Sequence, residues 1–203
     1  PVRRAVTEAL ALCGARSHAP RLVAALAKAG NDFEEHACIA ALLSLADEPF
    51  VRGLLAHETP RVRRAALHLL DQPPFATLRF ADLTGPLGDS DANVNRAARH
   101  LLEGHNEWAA DALPWLRQQL ATSASEAGSL NALSALFVAF QSDAGIRGLI
   151  SELLAPGAPT PVGARAFLLN LLPSLTTKKP EAAWLQAMGP ALADPALRIP
   201  ALG

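Results

Sequence analysis

The chain has 203 residues, half of them apolar and 18% charged, with 18 Lys and Arg against 19 Asp and Glu for a formal net charge of −1. That balance lacks the basic excess that binding to nucleic-acid phosphates needs, and even the arginine-rich first hundred residues hold 12 basic against 11 acidic side chains. Alanine and leucine dominate and tyrosine is absent, which favours packed helices over sheets, while apolar stretches such as Leu133 to Phe140 fall well short of the roughly 20 residues that span a bilayer.

Taken in chain order, Pro1-Val2-Arg3-Arg4-Ala5-Val6 reads as the first turn of a helix, so the lack of a signal peptide at this point says nothing about export. Five junctions between a first helix and a second then overlay. Leu22 to Leu26 leads into Asn31-Asp32-Phe33, and Gly53-Leu54-Leu55 into Thr59-Pro60-Arg61-Val62. Leu83 to Leu87 leads into Asp89 to Val94, and Leu149 to Leu154 into Pro159-Thr160-Pro161-Val162. Met188 to Leu192 leads into Asp194 to Arg198, and a weaker junction falls at Thr122 to Glu126. Val62 and Val94 are 32 residues apart, Val94 and Val162 are 68 apart, and Val162 and Leu197 are 35 apart, a recurrence that marks a helical repeat.

Proline at the first helical position wastes no amide hydrogen and presets φ, and Pro1, Pro60 and Pro161 are expected there. Val62, Ala65, Ala66, Leu69 and Leu70 form one apolar stripe at helical spacing, and Val94, Ala97, Ala98, Leu101 and Leu102 repeat it. These two stripes predict core.

The pattern resembles the HEAT family of α-solenoids, whose units are antiparallel helix pairs with an Asp or Pro turn and a Val-Arg opening on the second helix. The resemblance implies an all-α, right-handed α-α superhelix of about six helix pairs, a single repeat domain over residues 1–203. It also implies a ladder between turn acid and helix arginine, with Asp89 or Asp91 and Arg63 at the matching positions; Asn95 stands where a second arginine is expected. Because both ends read as interrupted units, the chain is expected to be a segment of a longer protein.

Few residues suggest chemistry. Cys13 and Cys38 are too few for a disulfide framework and too isolated for zinc, and each is expected to pack as a small buried apolar residue, with pairing left open. His68 and His100 share a register, but stacked helices some 8 to 10 Å apart hold two imidazoles too widely for a shared metal, and no third ligand is spaced to join them. Glu34-Glu35-His36 fails the helical metalloprotease pattern because Ala40 occupies the second histidine position; Asp32, Glu34 and Glu35 read instead as acids at a helix start. Trp108, Trp115 and Trp184 read as core residues of first helices. Arg61, Arg64, Arg96 and Arg99 are the candidate partner-binding residues, since a guanidinium offers a planar fork of donors to acidic groups. No catalytic constellation, metal site, cofactor motif or Cys-x-x-Cys-His haem signature is present, so no enzyme activity and no cofactor are expected of these residues.

A narrower resemblance covers Phe33 to Ala121. Glu35-His36-Ala37-Cys38-Ile39-Ala40-Ala41-Leu42 with Leu45-Ala46-Asp47, Pro60 to Leu67 ending in Leu70-Asp71-Gln72, and His105-Asn106-Glu107-Trp108 look like the helical segment of planctomycete-type modular proteins. That family carries a dehydrogenase-like β-propeller, a HEAT region and a c-type cytochrome domain. Asn106 departs from an expected proline and Ala109 from a usual glycine, and none of the family's haem ligands carries over. The resemblance implies an exported, periplasmic setting in which redox chemistry belongs to flanking domains; without it a cytoplasmic setting is expected. The leading expectation is a non-catalytic scaffold contacting a protein or adjoining domains of the same chain. The competing readings are a DNA-binding or DNA-repair enzyme of HEAT-like fold and a tetrapyrrole-lyase-like helper.

Overall fold

The computed structural model describes residues 2–122, 127–175, 182 and 184–186, and all regular structure among them is helical, without strands. The helices group into two compact units, Pro1–Leu101 and Leu102–Gly203. The first unit contains α1 (Val2–Cys13), α2 (Ala19–Ala27), α3 (Asp32–Leu45), α4 (Glu48–Gly53), α5 (Pro60–Asp71), α6 (Phe80–Leu83) and most of α7 (Ala92–Gly104). The second contains α8 (Ala109–Thr122), α9 (Ala127–Ala139), α10 (Ala144–Leu154) and α11 (Val162–Leu171). No described helix is long and apolar enough to cross a membrane.

Helix starts follow the expected turn chemistry. Asn31, Asp47 and Asp143 precede α3, α4 and α10, and each side chain accepts the amide three residues on at 3.0 Å. These are N-caps that satisfy otherwise orphaned donors. Asp91 does the same for α7, accepting from the amides of Asn93 at 2.9 Å and Val94 at 3.1 Å. Pro60 is the first residue of α5 as expected, whereas Pro161 stands one residue ahead of α11 as its cap. Pro1, the Thr122 to Glu126 junction and the Met188 to Arg198 junction lie wholly or partly outside the described residues.

The two predicted stripes are core: Val62, Ala65, Ala66, Leu69 and Leu70 are buried on α5, and Val94, Ala97, Ala98, Leu101 and Leu102 on α7. In the first unit α3 packs on α1, α2 and α5, and α5 also packs on α2 and α4. α4 and α6 are the short helices of the first unit. α4 and α6 pass into 3-10 turns, Leu54–Ala56 and Pro86–Gly88, and at the latter Pro86 has no amide hydrogen with which to continue the ladder.

Of the two candidate turn acids, Asp89 meets Arg63. The guanidinium donates to both carboxylate oxygens, at 2.8 and 2.9 Å, and to the carbonyls of His57 at 2.8 Å and Glu58 at 2.9 Å. One arginine thereby fastens the approach to α5 to the approach to α7. Asn95 donates instead to the Leu87 carbonyl and accepts from Arg99 Nε at 2.8 Å.

In the second unit α8 packs on α9 and α10, and α10 on α11. Trp184 is buried and donates its indole N–H to Ser151 Oγ at 2.9 Å, a partner such a buried donor requires. Trp108 is buried in the 3-10 turn before α8 and stacks on the His105 ring at 3.9 Å, while Trp115 is only half-buried, short of the expected core position. The cysteines are free thiols, and only Cys38 fits the expectation of burial; Cys13, near the end of α1, is exposed. Burial, partly offset by a hydrogen bond with Thr7, pushes the Cys38 thiol pKa up.

Candidate functional site: a groove across three helices

One face each of α3, α5 and α7 lines a groove of about 850 Å³ within the first unit. Counting from each helix start, the fifth residues are His36, Arg64 and Arg96, and the ninth are Ala40, His68 and His100; all six line the groove. These residues lie one helical turn apart on each helix, so they form two rows running from helix to helix. Asp32, Ile39 and Leu43 complete the α3 wall, Gln72 lies at the end of α5, and Asn93 stands in the first turn of α7.

Chemically the groove is polarised. At the α3 end the rows continue as His36 and Ala40, and Ala40 with Ile39 and Leu43 forms an aliphatic surface. At the α7 end the surface is made of donors: Arg96, His100 and the Asn93 amide, with His68 and Gln72 of α5 beside them. Burial, then the charge of Arg64, holds the His68 imidazole below the ordinary histidine pKa, with His100 adding to the effect and Asp71 and Glu35 opposing it. His68 is therefore neutral near pH 7, and the fixed positive charge at this end is that of arginine.

The four candidate arginines separate. Glu35, the fourth residue of α3, is only 7% exposed. It ion-pairs with Arg64 and, at 3.3 Å, with Arg61. Arg61 also donates to the Ala29 carbonyl and does not line the groove, and half-buried Arg99 is turned to Asn95. Arg61 is thus committed within the fold and Arg99 to its own helix, and Arg64 reaches the groove already bonded to the Glu35 carboxylate that it shares with Arg61. Arg96 is different. It is exposed, lines the groove, and has no hydrogen-bond or ion-pair partner among the described residues.

The sequence accounts for that difference. The acid that neutralises Arg64 is the fourth residue of the preceding groove helix, and the fourth residue of α5 is Arg63. Arg63 carries the wrong sign to meet Arg96 and is committed to Asp89. With Arg63 rather than an acid as the fourth residue of α5, Arg96 has no counter-charge among the described residues.

Glu35 was expected among the acids favoured by the helix dipole, but its carboxylate is held by the two arginines; Glu34 is the residue that returns to the helix start, accepting the Gly30 amide at 3.0 Å. His36 was missed as a groove residue. From α5 to α7 equivalent positions are 32 residues apart, but from α3 to α5 they are 28 apart, so a fixed period does not bring His36 onto Arg64. Among the described residues there is no group of three or more His, Cys, Asp or Glu that could hold a metal. A second recess of about 550 Å³, between α1, α2 and α3, has the Cys38 thiol in its lining. No protein-family model, curated protein or solved structure matches this chain.

Proposed function

We propose that this chain is a non-catalytic helical scaffold of the HEAT type, a right-handed superhelix of helix pairs that holds a protein partner or an adjoining domain of its own chain in the groove of α3, α5 and α7. The observation that carries the reading is the groove itself, made of repeat-equivalent residues on three helices and ending in an unpaired arginine. Repeat folds use such surfaces to bind extended partners, because stacking sets side chains at regular intervals along one face. The quoted resemblance to planctomycete-type modular proteins supports an exported setting in which the occupant is a flanking domain. Asp32 and Glu35 at one end of the groove disfavour duplex DNA, which needs a continuous basic track.

A photo-crosslinking amino acid placed at Ala40, exposed in the groove, tests the reading against the same group at Ala24, exposed on α2. In the native host, the expected result is a discrete protein adduct or intramolecular crosslink from Ala40 that is absent from Ala24. Equal crosslinking from both positions, or none from Ala40, overturns it.

A further inference from the structure

We propose that the occupant of the groove is an extended protein segment with an apolar end and an acidic end, its apolar side chains on Ile39, Ala40 and Leu43 of α3 and its carboxylates at Arg96. This inference rests on the scaffold reading and adds the chemistry of the partner.

Two observations fix that chemistry. The first is charge. The groove's arginines are Arg64, already bonded to a Glu35 carboxylate that it shares with Arg61, and Arg96, which has no partner among the described residues. An incoming carboxylate gains at Arg96 a charge-assisted hydrogen bond in a fork geometry that a hydroxyl or ammonium group cannot reproduce. The donors beside it, the Asn93 and Gln72 amides and the His68 and His100 rings, are complementary to carboxylate oxygens as well. The second is polarity. Asp32 lies at the α3 end, where it repels an acidic chain but leaves the aliphatic wall for an apolar one. The same segment laid the other way would place carboxylates against Asp32 and apolar groups against Arg96, so one direction is favoured.

Spacing sets the length. Packed helices lie about 8 to 10 Å apart, so the step from α3 to α7 is about 18 Å. An extended chain rises about 3.3 Å per residue and covers that distance in five or six residues. Such a segment adapts to a groove made by separate helices, whereas a helical partner would bring roughly half that axial reach over the same number of residues.

Binding should also respond to pH. A bound carboxylate favours the protonated imidazole, so association takes up protons and tightens as pH falls through the histidine range. The charged and titratable groups facing His68 are Asp32, Glu35 and His36 of α3, Arg64 and Asp71 of α5, and Arg96 and His100 of α7. Aspartates of the ligand stay ionised until about pH 4, well below that range.

The test uses fluorescein-labelled Leu-Leu-Ser-Gly-Ser-Asp-Asp-Asp, its reversed sequence, and versions with Lys or Ser in place of Asp, read by anisotropy on the whole chain. One direction of the acidic peptide should bind at least about tenfold tighter than the Lys and Ser versions, the size of one charge-assisted hydrogen bond. Arg96→Ser, at an exposed position, should weaken it about tenfold with unchanged circular dichroism. The acidic peptide should bind more tightly at about pH 6 than at about pH 7.5, and His68→Asn should remove that gain. Equal or better binding of the Lys or Ser version, or indifference to Arg96→Ser, overturns the acidic partner. If no peptide binds while Ala40 still crosslinks a protein, the acidic-segment inference fails and the scaffold reading stands; if both fail, both fall.

Discussion

Replacing Arg63 with Met removes a charge whose loss the structure cannot absorb. The Arg63 and Asp89 side chains keep only 17% and 11% of their exposure, and the guanidinium satisfies both Asp89 oxygens and the carbonyls of His57 and Glu58. A solvent-exposed ion pair contributes about 0 to 1 kcal/mol, whereas breaking a fully buried one costs about 3 to 5 kcal/mol. With most of both side chains covered, and Asp89 still receiving the Asp91 amide at 2.9 Å, the expected cost falls between, at about 2 to 3 kcal/mol. For a chain of this size that is a fall in Tm of roughly 5 to 10 °C. Urea unfolding followed by helical circular dichroism measures it, and Asp89→Asn completes a double-mutant cycle with an expected coupling above about 1 kcal/mol. The sign with pH is also set. Burial works to raise the Asp89 pKa, but the Arg63 hydrogen bonds, the Asp91 amide and the Arg63 charge outweigh it and hold the carboxyl below its ordinary range. A depressed folded pKa contributes stability that is present above the unfolded value, about 3.9, and is lost as pH falls through the folded value. The gap between wild type and Arg63→Met should therefore narrow below about pH 4. A cost within about 0.5 kcal/mol of zero, or a coupling of that size, would refute the assignment of this pair as the fastening between α5 and α7.

Two further perturbations separate interior from surface. Phe137 is fully buried, with its ring 6.3 Å from that of Phe167, so Phe137→Ala should cost about 3 to 5 kcal/mol. Arg117→Ala should shift stability by no more than about 0.5 kcal/mol in the same unfolding experiment, although its bonds to Glu152 measure 2.7 and 2.6 Å, because both side chains remain about half exposed. With a thiol-reactive reagent under native conditions, one equivalent should react promptly at Cys13 and the second only on unfolding, since Cys38 is buried and its thiol pKa is raised; prompt loss of both would contradict the burial of α3 against α1 and α2.

The helical character and the core stripes were legible because they rest on local rules. Pro60 at a helix start and Val62, Ala65, Ala66, Leu69 and Leu70 at helical spacing each report the same state of α5, and every one is where periodicity puts it. The shortened α4 and α6 were not legible as such. Their apolar residues, Val51 and Leu54 in one case and Phe80, Leu83 and Leu87 in the other, are buried as helix residues would be, but a 3-10 turn buries them equally well. Apolar pattern reports which side faces inward, not how tightly the backbone is wound. The burial of Cys38 but not Cys13 had no local signal either, because it depends on what packs beside α1.

At the site, residue type alone grouped four arginines that the structure divides by what lies opposite them. Arg61 and Arg64 are matched by Glu35, and Arg99 by Asn95 four residues earlier on its own helix. The fourth residue of α3 is the acid that pairs with Arg64, whereas the fourth residue of α5 is Arg63, and Arg96 has no partner among the described residues. The comparison also explains why the fastening and the binding surface occur together. An acid at position 63 would neutralise Arg96 as Glu35 does Arg64, but it could not bridge to Asp89; an arginine there makes the bridge and leaves Arg96 to an outside carboxylate. An arginine at this position of α5 thus stabilises the joint between α5 and α7 and leaves Arg96 without a counter-charge among the described residues, which ties the stability measured for Arg63→Met to the ligand chemistry expected at Arg96.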